Sequence, residues 1–402
     1  MPKRILIFSL TYFPFVGGAE VALKEITKRI PESEIEFDLI TLRFDSRLPK
    51  FETQGNVTIY RLGFTTRSPK MADLYRFPLQ LNKYLFPFLA WMKAAQLHGT
   101  RPYDAMWSIM ANYAGFAALF FKRRHKNIPF LLTLQEGDSI EHIKKRVGIF
   151  YLLFKNIFLN ADFIQAISTY LAEFARSMDI NAKVAVVPNG VDVELFSKDH
   201  SDEELHSLTE QLGKHKDDKY IITISRLVAK NAAGDIIRAL THLPPNVKLL
   251  VIGTGPDERQ LEDLVGEISV QDRVHFLGQI AYDELPKYLK ISDVFVRPSL
   301  SEGMGNSFIE AMAAHVPVIA TPVGGITDFL FDPDKNSDID STGLFCEVRN
   351  PQSIAQQVTR ILNDQTLRNR ITSNARKLVA EQYDWNMVAA AMREKIFGKL
   401  LQ

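Results

Sequence analysis

A chain of 402 residues with 46% apolar and 24% charged side chains has ordinary globular composition, and it exceeds the ~250–300 residues at which one hydrophobic core stops growing, so two domains are expected. Its lone cysteine, Cys346, excludes an internal disulfide framework and a cysteine-rich metal site, and no uncharged apolar run approaches the ~20 residues that span a bilayer. The net charge of +1 conceals opposed halves: residues 1–190 hold 25 Lys and Arg against 16 Asp and Glu, net +9, while the remainder holds 23 against 31, net −8.

Met1-Pro2-Lys3-Arg4 leads into a strand-length run, Ile5 to Phe8, with none of the features of a signal peptide, which points to a cytoplasmic protein. Two glycines, Gly17 and Gly18, follow that strand and open a helix whose apolar face is Ala22, Leu23, Ile26 and Ile30. Such a turn offers bare N–H groups to an anion, although a Gly-Gly pair by itself is more often just a turn. It has neither the G-x-G-x-x-G nor the P-loop spacing, so nicotinamide and ATP binding lack their fingerprints. Further strands are predicted at Phe37 to Leu42, Val57 to Leu62, Ala105 to Ile109, Phe130 to Leu134, Phe163 to Ile167 and Val184 to Val187.

Pro188-Asn189-Gly190-Val191-Asp192 has turn chemistry, and the polar stretch Ser197 to Lys219 opens the second half. The expected division is an amino-terminal domain over 1–195, a second over 196–380, and a terminal helix over 381–402 packing back on the first. In the second half, strands are predicted at Tyr220 to Ser225, Val247 to Ile252, Val274 to Leu277, Val294 to Val296, Val316 to Ala320 and Gly343 to Glu347. Strands separated by helices imply parallel sheets with right-handed crossovers, hence an α/β chain of two doubly wound, Rossmann-like domains whose strand ends face a central cleft.

Several constellations stand at predicted strand ends. Arg226 and Lys230 put two cations where a diphosphate could be neutralised, with solvated surface charge as the plain alternative. Gly253-Thr254-Gly255 is a Gly-rich turn, and Phe276-Leu277-Gly278 ends a strand whose backbone could hold a base. The most informative segment is Ser301-Glu302-Gly303-Met304-Gly305-Asn306-Ser307-Phe308-Ile309-Glu310, a strand-turn-helix stretch with seven residues between its glutamates. A helix starting near Ser307 aims N–H groups and its dipole back into the turn, which suits a phosphate, while the two carboxylates could accept hydrogen bonds from separate hydroxyl groups. Ser307 and Glu310 equally fit the S-x-x-E capping box, but capping leaves Glu302, Gly303 and Gly305 unexplained.

From about residue 3 to about residue 390 these pieces together resemble a retaining glycosyltransferase of the GT-B fold, in the large family four that uses nucleotide-sugar donors. The resemblance rests on Gly17-Gly18-x-Glu20, Pro188-Asn189-Gly190-Val191-Asp192, Arg226 with Lys230, Gly253-x-Gly255, Phe276-x-Gly278 and the Glu302/Glu310 pair. It implies that Gly17 and Gly18 lie near the donor phosphates and acceptor, and that Arg226 and Lys230 bind the diphosphate. Glu302 would hold donor sugar hydroxyls and Glu310 the ribose, with backbone contacts from Met304, Gly305, Asn306 and Ser307. The family commonly has a His after the strand matching Phe130 to Leu134; here Gln135 and Glu136 stand in that acceptor-side region, which puts the donor sugar or acceptor chemistry in question.

No histidine pair has metal spacing, so no tightly bound metal or cofactor is expected; the substrate is a nucleotide-diphosphate sugar, a UDP- or GDP-sugar above others. Same-face attack by the acceptor hydroxyl, with Arg226 and Lys230 stabilising the leaving diphosphate, is preferred over a covalent intermediate on Glu302. The acceptor is expected to be a glycan or lipid-linked hydroxyl. Lys83 to Lys93, Phe120 to Arg124 and Lys144 to Lys155 interleave cations with large apolar side chains, as an interfacial surface on the inner face of the cytoplasmic membrane would, or as core helices with snorkelling lysines would. No nucleic-acid motif accompanies the cations. The competing readings are a hydrolase or epimerase of the same fold and a non-catalytic nucleotide-sugar-binding subunit.

Overall fold

Apolar runs alternating with amphipathic stretches must bury both faces of any sheet they form, and the chain does so as two parallel-sheet α/β units. The computed structural model describes every residue except Val16. The first unit comprises Met1–Asn189 and Trp385–Gln402, the second Gly190–Asp384.

In the first unit the strands are β1 (Lys3–Phe8), β2 (Ile35–Leu42), β3 (Phe51–Gln54), β4 (Val57–Leu62), β5 (Ala105–Ile109), β6 (Phe130–Leu134), β7 (Phe163–Ala166) and β8 (Lys183–Val186). The helices of its amino-terminal segment include α1 (Gly18–Thr27), α2 (Leu81–Thr100), α3 (Tyr113–Arg124), α4 (Ile140–Val147), α5 (Tyr151–Leu159) and α6 (Thr169–Arg176), and its carboxy-terminal segment adds a helix over Trp385–Ala391. The sheet runs β3-β4-β2-β1-β5-β6-β7-β8, parallel except for the β3–β4 pair. The sequence pattern does not announce β3, because Phe-Glu-Thr-Gln is largely exposed; Gly55, at φ +57°, turns the chain back so that hydrogen bonding to β4 makes it a strand. Ile5 to Phe8 are fully buried because β1 lies inside the sheet. Trp385, Val388, Met392 and Ile396 of the terminal segment complete the same core, against Ile5, Ile7 and Leu39.

Of the two readings of Phe120 to Arg124, an interfacial surface or a packed helix, Lys122 follows the second. Lys122 is buried: its ammonium donates to the Lys126 and Ile128 carbonyls at 2.9 and 2.8 Å and to Asp162 at 2.7 Å. It closes the α3–β6 turn and offers no charge to solvent. Phe86, Phe121 and Phe154 are likewise core residues, whereas Tyr84, Phe88, Phe150 and Leu152 of the same segments are exposed.

The second unit contains α7 (Val193–Ser197), α8 (Asp202–Gln211), β9 (Lys219–Ile224), α9 (Ala233–Ala239), β10 (Val247–Ile252), α10 (Glu258–Glu267), β11 (Val274–Gly278), α11 (Leu285–Lys290), β12 (Val294–Arg297), α12 (Asn306–Ala313), β13 (Val318–Ala320), β14 (Leu344–Phe345), α13 (Pro351–Asn363) and α14 (Gln365–Gln382). Its parallel sheet runs β11-β10-β9-β12-β13-β14. The direction of winding therefore reverses at β9, as it does at β1 in the first sheet. At such a switch point the loops leaving two adjacent strands diverge and open a crevice at the carboxyl ends. The loops after β9 and β12 are those carrying Arg226, Lys230 and Glu302.

Candidate active site

The second unit's switch point is organised by Arg297, the last residue of β12 and one residue past the predicted strand Val294 to Val296. Strand geometry places its side chain inward, and it is buried. Its guanidinium donates to Ser307 Oγ and Asn231 Oδ1, each at 3.0 Å, and forms a close ion pair with Glu302 Oε2. The other Glu302 oxygen accepts from the Gly303 N–H at 3.1 Å. Glu302 is therefore a buried carboxylate with a fixed orientation, neutralised by one arginine that also reaches the loop after β9. Asn231 completes the link by donating to the Arg226 carbonyl at 2.6 Å, and the Leu300 N–H donates to the Lys230 carbonyl at 2.7 Å. The loops of Arg226–Lys230 and Glu302 are tied side by side. The Arg226 side chain is exposed and Lys230 half-buried.

Backbone proximity explains two of the strand-end glycines, Gly253 and Gly255. A Cβ on Gly253, at φ +124°, would lie 1.9 Å from the Ser225 carbonyl oxygen, and one on Gly255 would lie 2.0 Å from that of Leu227. These two glycines let the turn after β10 press against the loop that carries Arg226. The Gly253 N–H donates to the Gly278 carbonyl at 2.7 Å, drawing in the end of β11, while Phe276 packs partly buried on the core. A third contact of this kind went unread in the sequence: Gly324, at φ +55°, would place a Cβ 1.9 Å from the Glu302 carbonyl oxygen, and the Gly325 N–H donates to that oxygen at 3.1 Å. Glu302 is held by its main chain as well as by Arg297. The signal was present as Val323-Gly324-Gly325 after a strand, the same pattern noted at Gly17-Gly18.

Helix α12 starts at Asn306, with Gly305 before it at φ +86°, where a Cβ would strike the Phe308 ring at 2.6 Å. Glycine supplies a backbone shape the turn needs and offers no side-chain cap. The capping-box alternative is not what forms. Ser307 is the second helical residue and its hydroxyl accepts from Arg297; Glu310 lies beyond the first turn, buried, with a hydrogen bond from Tyr282. Burial pushes the Glu310 carboxyl up to about 7, an effect that Arg297 and Tyr282 only partly offset. Met304 is fully buried beneath the turn.

The first unit carries a separate set of groups at its own strand ends. The Gly17 N–H donates to Glu20 Oε2 at 2.7 Å, and Thr11 Oγ1 donates to the other Glu20 oxygen at 2.6 Å, so Glu20 anchors the start of α1 while Gly17 and Gly18 remain exposed. After β6, Glu136 is buried with its carboxylate accepting from the Ala111 and Gln135 N–H groups at 3.0 and 2.9 Å. Burial raises its carboxyl above the usual range, against the pull of these backbone donors and Arg146. The Gln135 side chain is turned to Asn189, whose amide donates to it at 3.3 Å. Glu136 thus braces the loops after β5 and β6, leaving Gln135 and Asn189 as the polar pair beside it. Among the described residues no group of three His, Cys, Asp or Glu side chains is placed to hold a metal ion.

Comparison with known proteins agrees with this architecture. Residues 16–195 match the model for glycosyltransferase family 4, and residues 206–378 match the model for glycosyl transferases group 1. The N-acetyl-alpha-D-glucosaminyl L-malate synthase of Bacillus anthracis is 27% identical, over 94% of this chain and 93% of its own length. Among solved structures, a sucrose-phosphate synthase from Thermosynechococcus elongatus superposes with a TM-score of 0.82 at 22% identity, covering 99% of each chain. Anabaena HepE, solved with UDP-glucose, superposes with a TM-score of 0.77 at 21% identity, over 98% of this chain and 99% of its own. Two doubly wound parallel-sheet units, the first matched by the family 4 model and the second by the group 1 model, identify the chain as a glycosyltransferase of the GT-B fold.

Proposed function

We propose that the chain moves a sugar from a nucleotide-diphosphate sugar, a UDP- or GDP-sugar, to a hydroxyl of a glycan or lipid-linked acceptor, with retention of anomeric configuration. The observation that carries this is the buried Glu302 carboxylate, fixed by Arg297 beside the Arg226–Lys230 loop at the carboxyl end of the second sheet. In this reading Glu302 accepts from donor sugar hydroxyls and Glu310 from the ribose. Arg226, Lys230 and the α12 N-terminus take the diphosphate, with Met304, Gly305, Asn306 and Ser307 along it, and Gly253, Gly255, Phe276 and Gly278 border the base. Gly17, Gly18, Gln135 and Glu136 serve the donor phosphates and the acceptor. The UDP-glucose held by the HepE relative supports a nucleotide sugar as donor.

Glu302 is poorly suited to be a nucleophile, because its charge is already spent on Arg297 and the Gly303 N–H. Same-face attack fits better: the acceptor proton passes to the departing phosphate while Arg226 and Lys230 offset the charge that develops there. The enzyme would work in the cytoplasm, reaching a lipid-linked acceptor at the inner membrane surface.

The test is release of nucleoside diphosphate from UDP- and GDP-sugars with and without candidate acceptors, with the product anomer assigned by NMR. Acceptor-stimulated release that falls roughly 10²–10³-fold in Lys230→Ala is expected, the scale of lost transition-state donors. Release that ignores acceptors would make the protein a hydrolase; tight binding with no release would make it a binding subunit.

A further inference from the structure

Large apolar side chains are unevenly spread over this protein. Of the twenty that are exposed among the described residues, twelve lie between residues 71 and 159 and three lie in the second unit. On α2 the exposed ones are Leu81, Tyr84, Leu85, Phe88 and Met92, whose spacing of three, four, seven and eleven residues draws one stripe along the helix. The stripe is continuous with its surroundings. Phe88 stacks near Phe120 of α3 with centroids 5.3 Å apart, and Tyr84 meets Tyr113 edge-on at 5.8 Å. The Tyr113 hydroxyl lies within electrostatic range of Arg146 at the end of α4, and beyond Arg146 the chain exposes Ile149, Phe150 and Leu152.

Charge on this face is equally one-sided. Helices α2, α3 and α5 contain no Asp or Glu. Arg123 and Arg124 are exposed at the end of α3, and Lys144, Lys145 and Arg146 at the end of α4, where Glu141 and Asp138 are the opposing carboxylates and Asp138 pairs with Arg146. Lys155 is neutralised by Asp179. Past the C-terminal ends of α2 and α3, a hollow of about 620 Å³ is lined by His98, Arg123, Arg124, His125 and Lys126 and by no carboxylate. No described helix is long and apolar enough to cross a membrane.

We propose that this α2–α3–α5 face, with the α4–α5 corner, docks on an anionic lipid bilayer, the α2 stripe and Ile149-Phe150-Leu152 entering the interface while Arg123, Arg124, Lys144 and Lys145 meet lipid phosphates. Apolar side chains at helical spacing flanked by unpaired cations suit that boundary, where rings enter the acyl edge and cations stay at headgroup depth. An acidic, apolar protein surface could offer the same complement, and the test separates the two. The inference deepens the acceptor side of the proposed function and does not depend on donor chemistry.

The full chain is cosedimented with vesicles of phosphatidylcholine alone and of phosphatidylcholine with phosphatidylglycerol. Strong binding to the anionic vesicles, weak binding to the neutral ones and release by salt are expected. Each surface cation removed should lower partitioning about fivefold, so Arg123→Gln with Arg124→Gln should lose roughly 25-fold. Ile149→Ser with Phe150→Ser and Leu152→Ser should weaken binding to both vesicle types. Equal sedimentation with both vesicle types, or a charge variant that partitions like the parent, overturns the proposal; so does salt-resistant retention by a protein fraction with no vesicle binding. Calorimetric UDP binding is measured on the same variants and should be unchanged. A parent chain that binds neither UDP nor GDP, with vesicle binding intact, would instead refute the donor reading alone.

Discussion

Replacing Glu310 by Gln should make the protein more stable above neutral pH while weakening its hold on a donor. In the folded protein the Glu310 carboxyl is pushed up to about 7 from an ordinary 4.5, because it is buried within α12. Below about 4.5 it is protonated folded and unfolded, and its contribution to stability is fully present. As pH rises toward 7 the unfolded chain sheds the proton freely while the folded one keeps it, and that contribution is lost. At about 1.4 kcal/mol for each pH unit separating the two states, the loss totals about 3 kcal/mol, of which about 2.5 falls between pH 5 and 8. The amide keeps the shape and can still accept from Tyr282, but never ionises. Urea unfolding of parent and Glu310→Gln at pH 5, 6, 7 and 8 should therefore show the parent losing about 2–3 kcal/mol relative to the variant across that range. Differences that stay constant with pH would mean that Glu310 is not buried as a neutral acid, and the reasoning fails. If Glu310 accepts from ribose hydroxyls, calorimetry at pH 8 should show weaker UDP binding by the more stable variant. That combination separates a ligand contact from a structural one.

Arg297→Met should cost about 3–5 kcal/mol in urea unfolding, since it leaves Glu302 buried without its counter-ion, and Glu302→Gln in that background should recover part of the loss. Gly324→Ala should destabilise by at least about 2 kcal/mol and lower donor affinity together, because a methyl group 1.9 Å from the Glu302 carbonyl forces that residue to move. Lys122→Gln should cost about 1–3 kcal/mol through its lost contacts with two carbonyls and Asp162, whereas Arg123→Gln with Arg124→Gln should stay within about 0.5 kcal/mol of the parent in the same assay.

Hydrophobic periodicity alone marked most strands to within a residue or two: Val57 to Leu62, Ala105 to Ile109, Phe130 to Leu134 and Val247 to Ile252 coincide with β4, β5, β6 and β10. A strand buried on both faces reads as a nearly continuous apolar run, as β5, β6 and β10 do, and one buried on a single face alternates, as β4 does, so in both cases the signal is local. The fold class followed from the alternation of such runs with helices, and the glutamate pair and the strand-end glycines were visible as residue types in place. Polar β3 was not visible, because its partner's hydrogen bonds define it and its own side chains do not. Nor was the role of Arg297, one cation at the end of Val294-Phe295-Val296, whose meaning arises only when Asn231, Glu302 and Ser307 are brought around it from separate loops. The same limit explains Lys122, Arg123 and Arg124, three adjacent cations of which one is an interior crosslink and two are surface. Sequence fixes the chemistry a side chain carries; burial and the partners that set its charge come from residues distant along the chain, which only the tertiary fold brings into contact.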